Sequence, residues 1–181
     1  MRLLPPPSAY GMGYNLSLIS NITKFSETKM TDYSDDDAMS MTSGVSAFES
    51  REFSKAMRLL NPFAVQGDAE AQYRVAIMLQ NGLGIVKNEL TGYKLMKAAG
   101  EQGHALAQHG LGFMYLEGEG VEQNGEKAIE WFSKAAEQGM LGSATTIATM
   151  YEEGNIVPQD LELAKRWYSL AGFDDKADEI S

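Results

Sequence analysis

The chain has 181 residues and 44% apolar composition, enough for one medium-sized domain or a short repeat array with a substantial core. Its net charge of −10 argues against nucleic acid and anionic membrane surfaces as partners, because both need clustered lysine and arginine. It contains no cysteine, which excludes disulfide staples and thiolate zinc sites.

Residues 1–45 differ in character from the rest. They carry the triplet Pro5-Pro6-Pro7, many Ser, Thr and Gly residues, and the acidic run Asp35-Asp36-Asp37. No helical or strand period persists through them, so the segment is expected to be disordered. Arg2 is followed at once by the prolines, and the short apolar stretch 16–22 lacks an Ala-x-Ala end, so no signal peptide is predicted. No run of about 18 apolar residues occurs, so no membrane insertion is predicted either. The expected location is cytoplasmic. Met30 opens a more ordinary leader, Met-Thr-Asp-Tyr-Ser, so the natural product is expected to start there, with residues 1–29 lying upstream.

From about Ala47 a helical period begins, with Phe48, Phe53, Ala56, Leu59, Leu60 and Phe63 near one face. Pro62 sits inside it and predicts a bend. Lys55-Ala56 stands two periods before Lys127-Ala128, so residues 46–68 read as a half-unit, a second helix without its first.

Between Ala69 and Gly172 the sequence repeats with a step of 36 residues. Gly67, Gly103 and Gly139 keep it, as do Gly82, Gly118 and Gly154. So do Asn88, Asn124 and Asp160, and the series Leu95, Trp131, Trp167. A fixed period of this length means a solenoid whose units bury their apolar faces against one another. The units are 69–104, 105–140 and 141–172. Each divides into a first helix (69–81, 105–117, 141–153) and a second (89–101, 125–138, 160–171). Gly82, Gly118 and Gly154 mark where the first helices stop. Asn88, Asn124 and Asp160 supply acceptors for the start of the second. Gly125 directly after its cap is expected to weaken that start. Small residues recur at Ala76, Gly112 and Ala148, and at Gly92, Ala128 and Ala164, where helices approach closely. Residues 173–181 are expected to form a short C-terminal cap over the last apolar face.

The pattern Ala105-x-Ala107-x-x-x-Leu111-Gly112-x-x-Tyr115-x-x-Gly118-x-Gly120-Val121, then Lys127-Ala128-x-x-Trp131-Phe132-x-Lys134-Ala135-Ala136-x-Gln138-Gly139, resembles the Sel1-like repeat, a relative of the tetratricopeptide repeat. The first unit departs from it with Leu79, Leu95 and Gly92, and the third with Ser143, Ile156 and Pro158. The resemblance implies an all-α fold, a superhelical solenoid of Sel1-like, tetratricopeptide-like helical hairpins over 46–181. It also implies a non-enzymatic adaptor that holds a protein or peptide partner. Two alternatives stay open: a hydrolase or β-lactam-interacting enzyme of the same repeat family, and a self-associating structural module. The relatives linked to penicillin-type ligands are cysteine-rich, unlike this chain.

In a stack of this kind the first helices line the concave face. Val75, Ala76 and Leu79 pack inward, so the helical offsets place Tyr73, Ile77, Gln80 and Asn81 in the groove. One period on come His109, Phe113, Leu116 and Glu117, then Thr145, Thr149, Glu152 and Glu153. Ile77, Phe113 and Leu116 would make an apolar interaction patch. The plainer alternative is that they only touch the next helix or the C-terminal tail. The glutamates suit a basic or amphipathic partner segment, or are simply a solvated face.

Other chemistry finds no support in the residues. His104 and His109 stand five apart without a third ligand, so no metal is predicted. Gly82-Leu83-Gly84 and Gly118-Glu119-Gly120 end helices where a phosphate loop would open one. Asp35-Asp36-Asp37 lacks the glycine and distant glutamate of a calcium loop. No cofactor and no catalytic residue are predicted.

Overall fold

The computed structural model describes residues 35–180, and every regular element among them is an α-helix. In chain order these are α1 (Asp35–Glu49), α2 (Phe53–Gln66), α3 (Ala69–Asn81), α4 (Glu89–Glu101), α5 (Ala105–Glu117), α6 (Gly125–Glu137), α7 (Leu141–Glu153), α8 (Leu161–Leu170) and α9 (Asp174–Glu179). Each helix packs on its neighbours in sequence, which is the connectivity of an αα-solenoid.

The stops and starts follow the local chemistry. Gly82, Gly118 and Gly154 are left-handed, with φ of 67°, 78° and 67°, and return their N–H groups to the carbonyls of Met78, Met114 and Met150. A side chain there would meet the following carbonyl, which is why glycine ends all three first helices. Asn88, Asn124 and Asp160 each accept an N–H three residues on, from Thr91, Lys127 and Leu163, at 2.9 Å. The caps of the first helices are less uniform. Asp68 accepts from Ala71 at 2.8 Å, His104 Nδ1 accepts from Ala107 at 3.2 Å, and Met140 offers no acceptor. His104→Ala should therefore cost at least about 1 kcal/mol, the usual value of a lost N-cap, read as a lower urea midpoint at an unchanged slope.

Within each hairpin a small residue faces a large one. Gly112 is the tightest case, since a Cβ there would fall 2.4 Å from Phe132 Cδ1. Trp131 is buried, 8% exposed, between units. Trp167 is half-buried and packs against the cluster closed by Ala177 and Ile180. A ladder of glutamines outside the glycine and tryptophan series ties each unit together and joins it to the one before. Gln102 donates to Gln72 at 2.8 Å and Gln138 to Gln108 at 2.7 Å. Buried Gln72 and Gln108 donate in turn to the carbonyls of Ala64 and Gly100. Each buried amide is thus satisfied, as burial demands. The ladder ends where Ala144 takes the next position.

The interhelical loops dock on the start of the preceding unit's second helix. A Cβ at Gly84 (φ 67°) would fall 2.6 Å from Ser54 N, and one at Gly120 (φ 69°) 2.7 Å from Glu89 O. In the third loop Ile156 replaces this glycine, and the space comes from the other side. Gly125 opens α6, and a Cβ on it would fall 2.6 Å from Val157 Cγ1 and 2.8 Å from Ile156 Cγ2. The glycine expected only to weaken a helix start is a docking surface.

Three expectations change. Residues 35–45, read as part of a disordered leader, are helical and run on to Glu49 as α1, and the single helix expected over 46–68 is divided by a turn, with α2 starting only at Phe53 and packing on α1. Their hairpin gives only a weak sequence signal because α1 packs through small residues, Gly44 and Ala47, and its turn has shrunk to Ser50-Arg51-Glu52. Arg74 ties α1 to the stack, pairing with Glu49 at 3.4 Å and covering the Phe48 ring at 5.0 Å. Finally, α2 runs unbroken through Pro62. That proline is exposed and removes only the bond to the carbonyl of Arg58, itself exposed. The expectations for residues 1–34 lie outside the described residues. At the other end Ala177 of α9 and the following Ile180 bury themselves against Ala148, Ala164 and Tyr168.

Candidate functional site

Successive first helices touch through side chains, which sets their exposed faces side by side. Tyr73 of α3 stacks on His104 at the head of α5, centroids 4.7 Å apart. His104 Nε2 lies 2.7 Å from Glu70. Burial works to raise the Glu70 pKa, but the hydrogen bonds from His104 and Arg74 and the charge of Arg74 lower it on balance. One unit on, His109 of α5 shares a 2.7 Å hydrogen bond with Ser143 of α7.

His109 anchors an aromatic group. Its ring meets Phe113 and Phe132 edge-on, at 5.0 and 5.6 Å, and those two phenylalanines meet each other at 5.0 Å. Phe132 is fully buried, whereas Phe113 is 40% exposed. Phe113 is therefore a solvent-facing ring on a fixed base. Burial pushes the His109 pKa below its ordinary value. The unfolded chain then takes up this proton first as pH falls. Stability should be full above about pH 6.5 and decline below it, down to the depressed folded value. His109→Asn should flatten that part of the profile, measured as urea midpoint against pH.

The predicted groove residues do not all share one face. Tyr73, Ile77, His109, Leu116, Thr145 and Thr149 are half-buried on the first helices, and Phe113, Glu117, Asn81 and Glu153 are exposed. The Thr145 hydroxyl returns to the Leu141 carbonyl at 3.1 Å, and the Asn81 amide to Ile77 at 2.9 Å. Gln80 and Glu152 belong elsewhere. The Gln80 side chain lies against Gly92 of its own second helix. Glu152 accepts from the Tyr168 hydroxyl at 2.6 Å and pairs with Lys176 at 3.1 Å, so it serves the α8–α9 end. Those two donors hold its carboxyl below the ordinary range. The offset rule carried both positions too far round the helix, toward the hairpin partner.

At the ends of α5 and α7 the structure forms a cleft of about 290 Å³ that includes Leu116, Glu117, Thr149, Met150, Glu153 and Ile156. Met150 and Ile156 were not among the predicted residues. The one available signal was Ile156 itself, an apolar side chain where the period calls for glycine.

The catalytic options are thin. His109 and Ser143 meet the distance expected of a base and a hydroxyl nucleophile. Ser143, however, is fully buried, so no substrate reaches its oxygen. Among the described residues no group of three or more His, Asp and Glu side chains could hold a metal ion. No helix among them is long and apolar enough to cross a membrane.

Capped helical hairpins stacked with a fixed step define a tetratricopeptide-like αα-solenoid. The chain belongs to the Sel1 repeat family, which matches it at residues 69–104, 105–140 and 141–172. Sel1 repeats are generally protein-interaction modules, and proteins built from them are generally non-enzymatic scaffolds. The fold is similar to a crystal structure of a Sel1 repeat protein from Oxalobacter formigenes. That match has 29% identity and a TM-score of 0.67, over 76% of this chain and 57% of the other. It is also similar to a protective antigen present in uropathogenic Escherichia coli strains that displays an SLR fold. There the identity is 28% and the TM-score 0.70, over 75% of this chain and 30% of the other. The chain thus spans less than two thirds of the first solved relative and less than a third of the second. No curated protein matches the sequence.

Proposed function

We propose that this chain is a non-enzymatic adaptor that holds a protein partner, as an extended peptide or a helix, against the concave face formed by its first helices. The observation that carries this reading is Phe113, an exposed aromatic ring buttressed by His109 and by buried Phe132. Leu116 lies one turn further along α5 and Ile77 holds the position equivalent to Phe113 on α3, both half-buried and apolar. Rigid aromatic anchors with apolar neighbours are the side chains that dominate interface energies.

The test is affinity capture of partners from cells of the source, with Phe113→Ser against Lys94→Ser, a control at an exposed position of α4. Phe113→Ser should weaken the partner by roughly tenfold or more, the scale of a hot-spot loss, and leave the far-UV spectrum unchanged. Equal retention by a folded Phe113→Ser variant would remove the ring from the binding face.

A further inference from the structure

We propose that the cleft between the ends of α5 and α7 receives a lysine or arginine side chain of the bound peptide, with an apolar residue of that peptide beside it. This rests on the concave-face reading and adds the chemistry of the partner.

Both helices end at the cleft, and the C-terminus of a helix carries about half a negative charge. A basic residue in the last turn would offset it, yet neither helix has one. Each instead ends on a glutamate, Glu117 and Glu153, which adds negative charge where it is least favourable. Both are exposed, and neither enters an ion pair among the described residues. Glu153 accepts only a 3.3 Å bond from the Asn155 amide. The neighbouring Glu152, by contrast, is fully engaged by Tyr168 and Lys176. In the first unit the same position is neutral Asn81, so the charge belongs to this one cleft.

The floor is apolar. Leu116 and Met150 lie in it, and Ile156 stands 40% exposed at its edge. An organic cation on a long aliphatic stem fits both features, since the stem covers apolar surface while its head reaches the carboxylates. A bare divalent ion fits poorly, because it wants more oxygen ligands and gains nothing from the floor.

The probe is an acetylated, amidated peptide of alternating Leu and Arg, titrated into the 15N-labelled full chain. Its shifts are expected at amides 116–118 and 150–156. The matched Leu–Glu peptide should leave them unmoved. Glu117→Gln with Glu153→Gln should weaken the Leu–Arg peptide about fivefold to tenfold, the sum of two exposed ion pairs, and added salt should weaken the parent more than the variant. The same double variant should melt no lower than the parent, because it removes like charge from two helix ends.

Equal affinity of the double variant for the Leu–Arg peptide, equal binding of the Leu–Glu peptide, or shifts confined to other residues would each overturn the cleft assignment. Phe113→Ser separates the two readings. If it releases the natural partner while the double variant behaves like the parent, the concave-face reading stands and the cleft assignment falls.

Discussion

Phe132→Ala is expected to destabilise the stack by about 3–5 kcal/mol, the cost of deleting a fully buried ring. Against a total on the order of 5–15 kcal/mol, that loss brings the chain close to melting. The site explains why the cost should sit near the top of the range. Phe132 fills the space left by Gly112, so its removal opens a cavity against bare backbone, with no side chain ready to collapse into it. It also removes the base on which His109 and Phe113 rest. Urea unfolding should show a much lower midpoint. The reverse perturbation, Gly112→Ala, should also destabilise, because its new methyl would need the space of a ring with nowhere to move. A loss below about 1 kcal/mol for Phe132→Ala would mean that the middle hairpin is not packed as described.

The second large effect has opposite signs depending on what one knows. From helix propensity alone, Gly125→Glu should stabilise α6 by roughly 1 kcal/mol, since it removes a glycine and puts a carboxylate in the first turn. The packing dictates the reverse. The new Cβ would enter the space of Val157 and Ile156, and the expected result is a loss of about 1–3 kcal/mol. Residue 125 is the counterpart of Glu89, and Ile156 is the counterpart of Gly120. Gly125→Glu together with Ile156→Gly therefore rebuilds the middle loop's arrangement in the third. The pair should lose clearly less than the sum of the single changes, a coupling of at least about 0.5 kcal/mol. Additivity would show that the loop and the helix start do not share that space.

Much of this protein was readable as sequence because its signals are local and repeated. The left-handed stops at Gly82, Gly118 and Gly154 and the acceptors Asn88, Asn124 and Asp160 act within a few residues of themselves. A step of 36 residues then copies them down the chain, so the first-helix bounds follow almost without error. The same regularity marked the first helices as the carriers of Phe113.

What the sequence left undecided is whatever depends on which side chain meets which across the stack. The helix α1 leaves only a weak signal because Gly44 and Ala47 pack by close approach. Gln80 and Glu152 looked like groove residues because a helical wheel has no partner helix drawn on it; Gly92, Tyr168 and Lys176 claim them instead. Gly125 looked like a flaw until Ile156 and Val157 came to lie on it. The glutamine ladder and the paired ends of α5 and α7 likewise join residues about 30 or more apart in sequence. Backbone preferences are settled over a turn or two of chain. Steric exclusion and charge pairing between distant segments exist only once the hairpins have stacked.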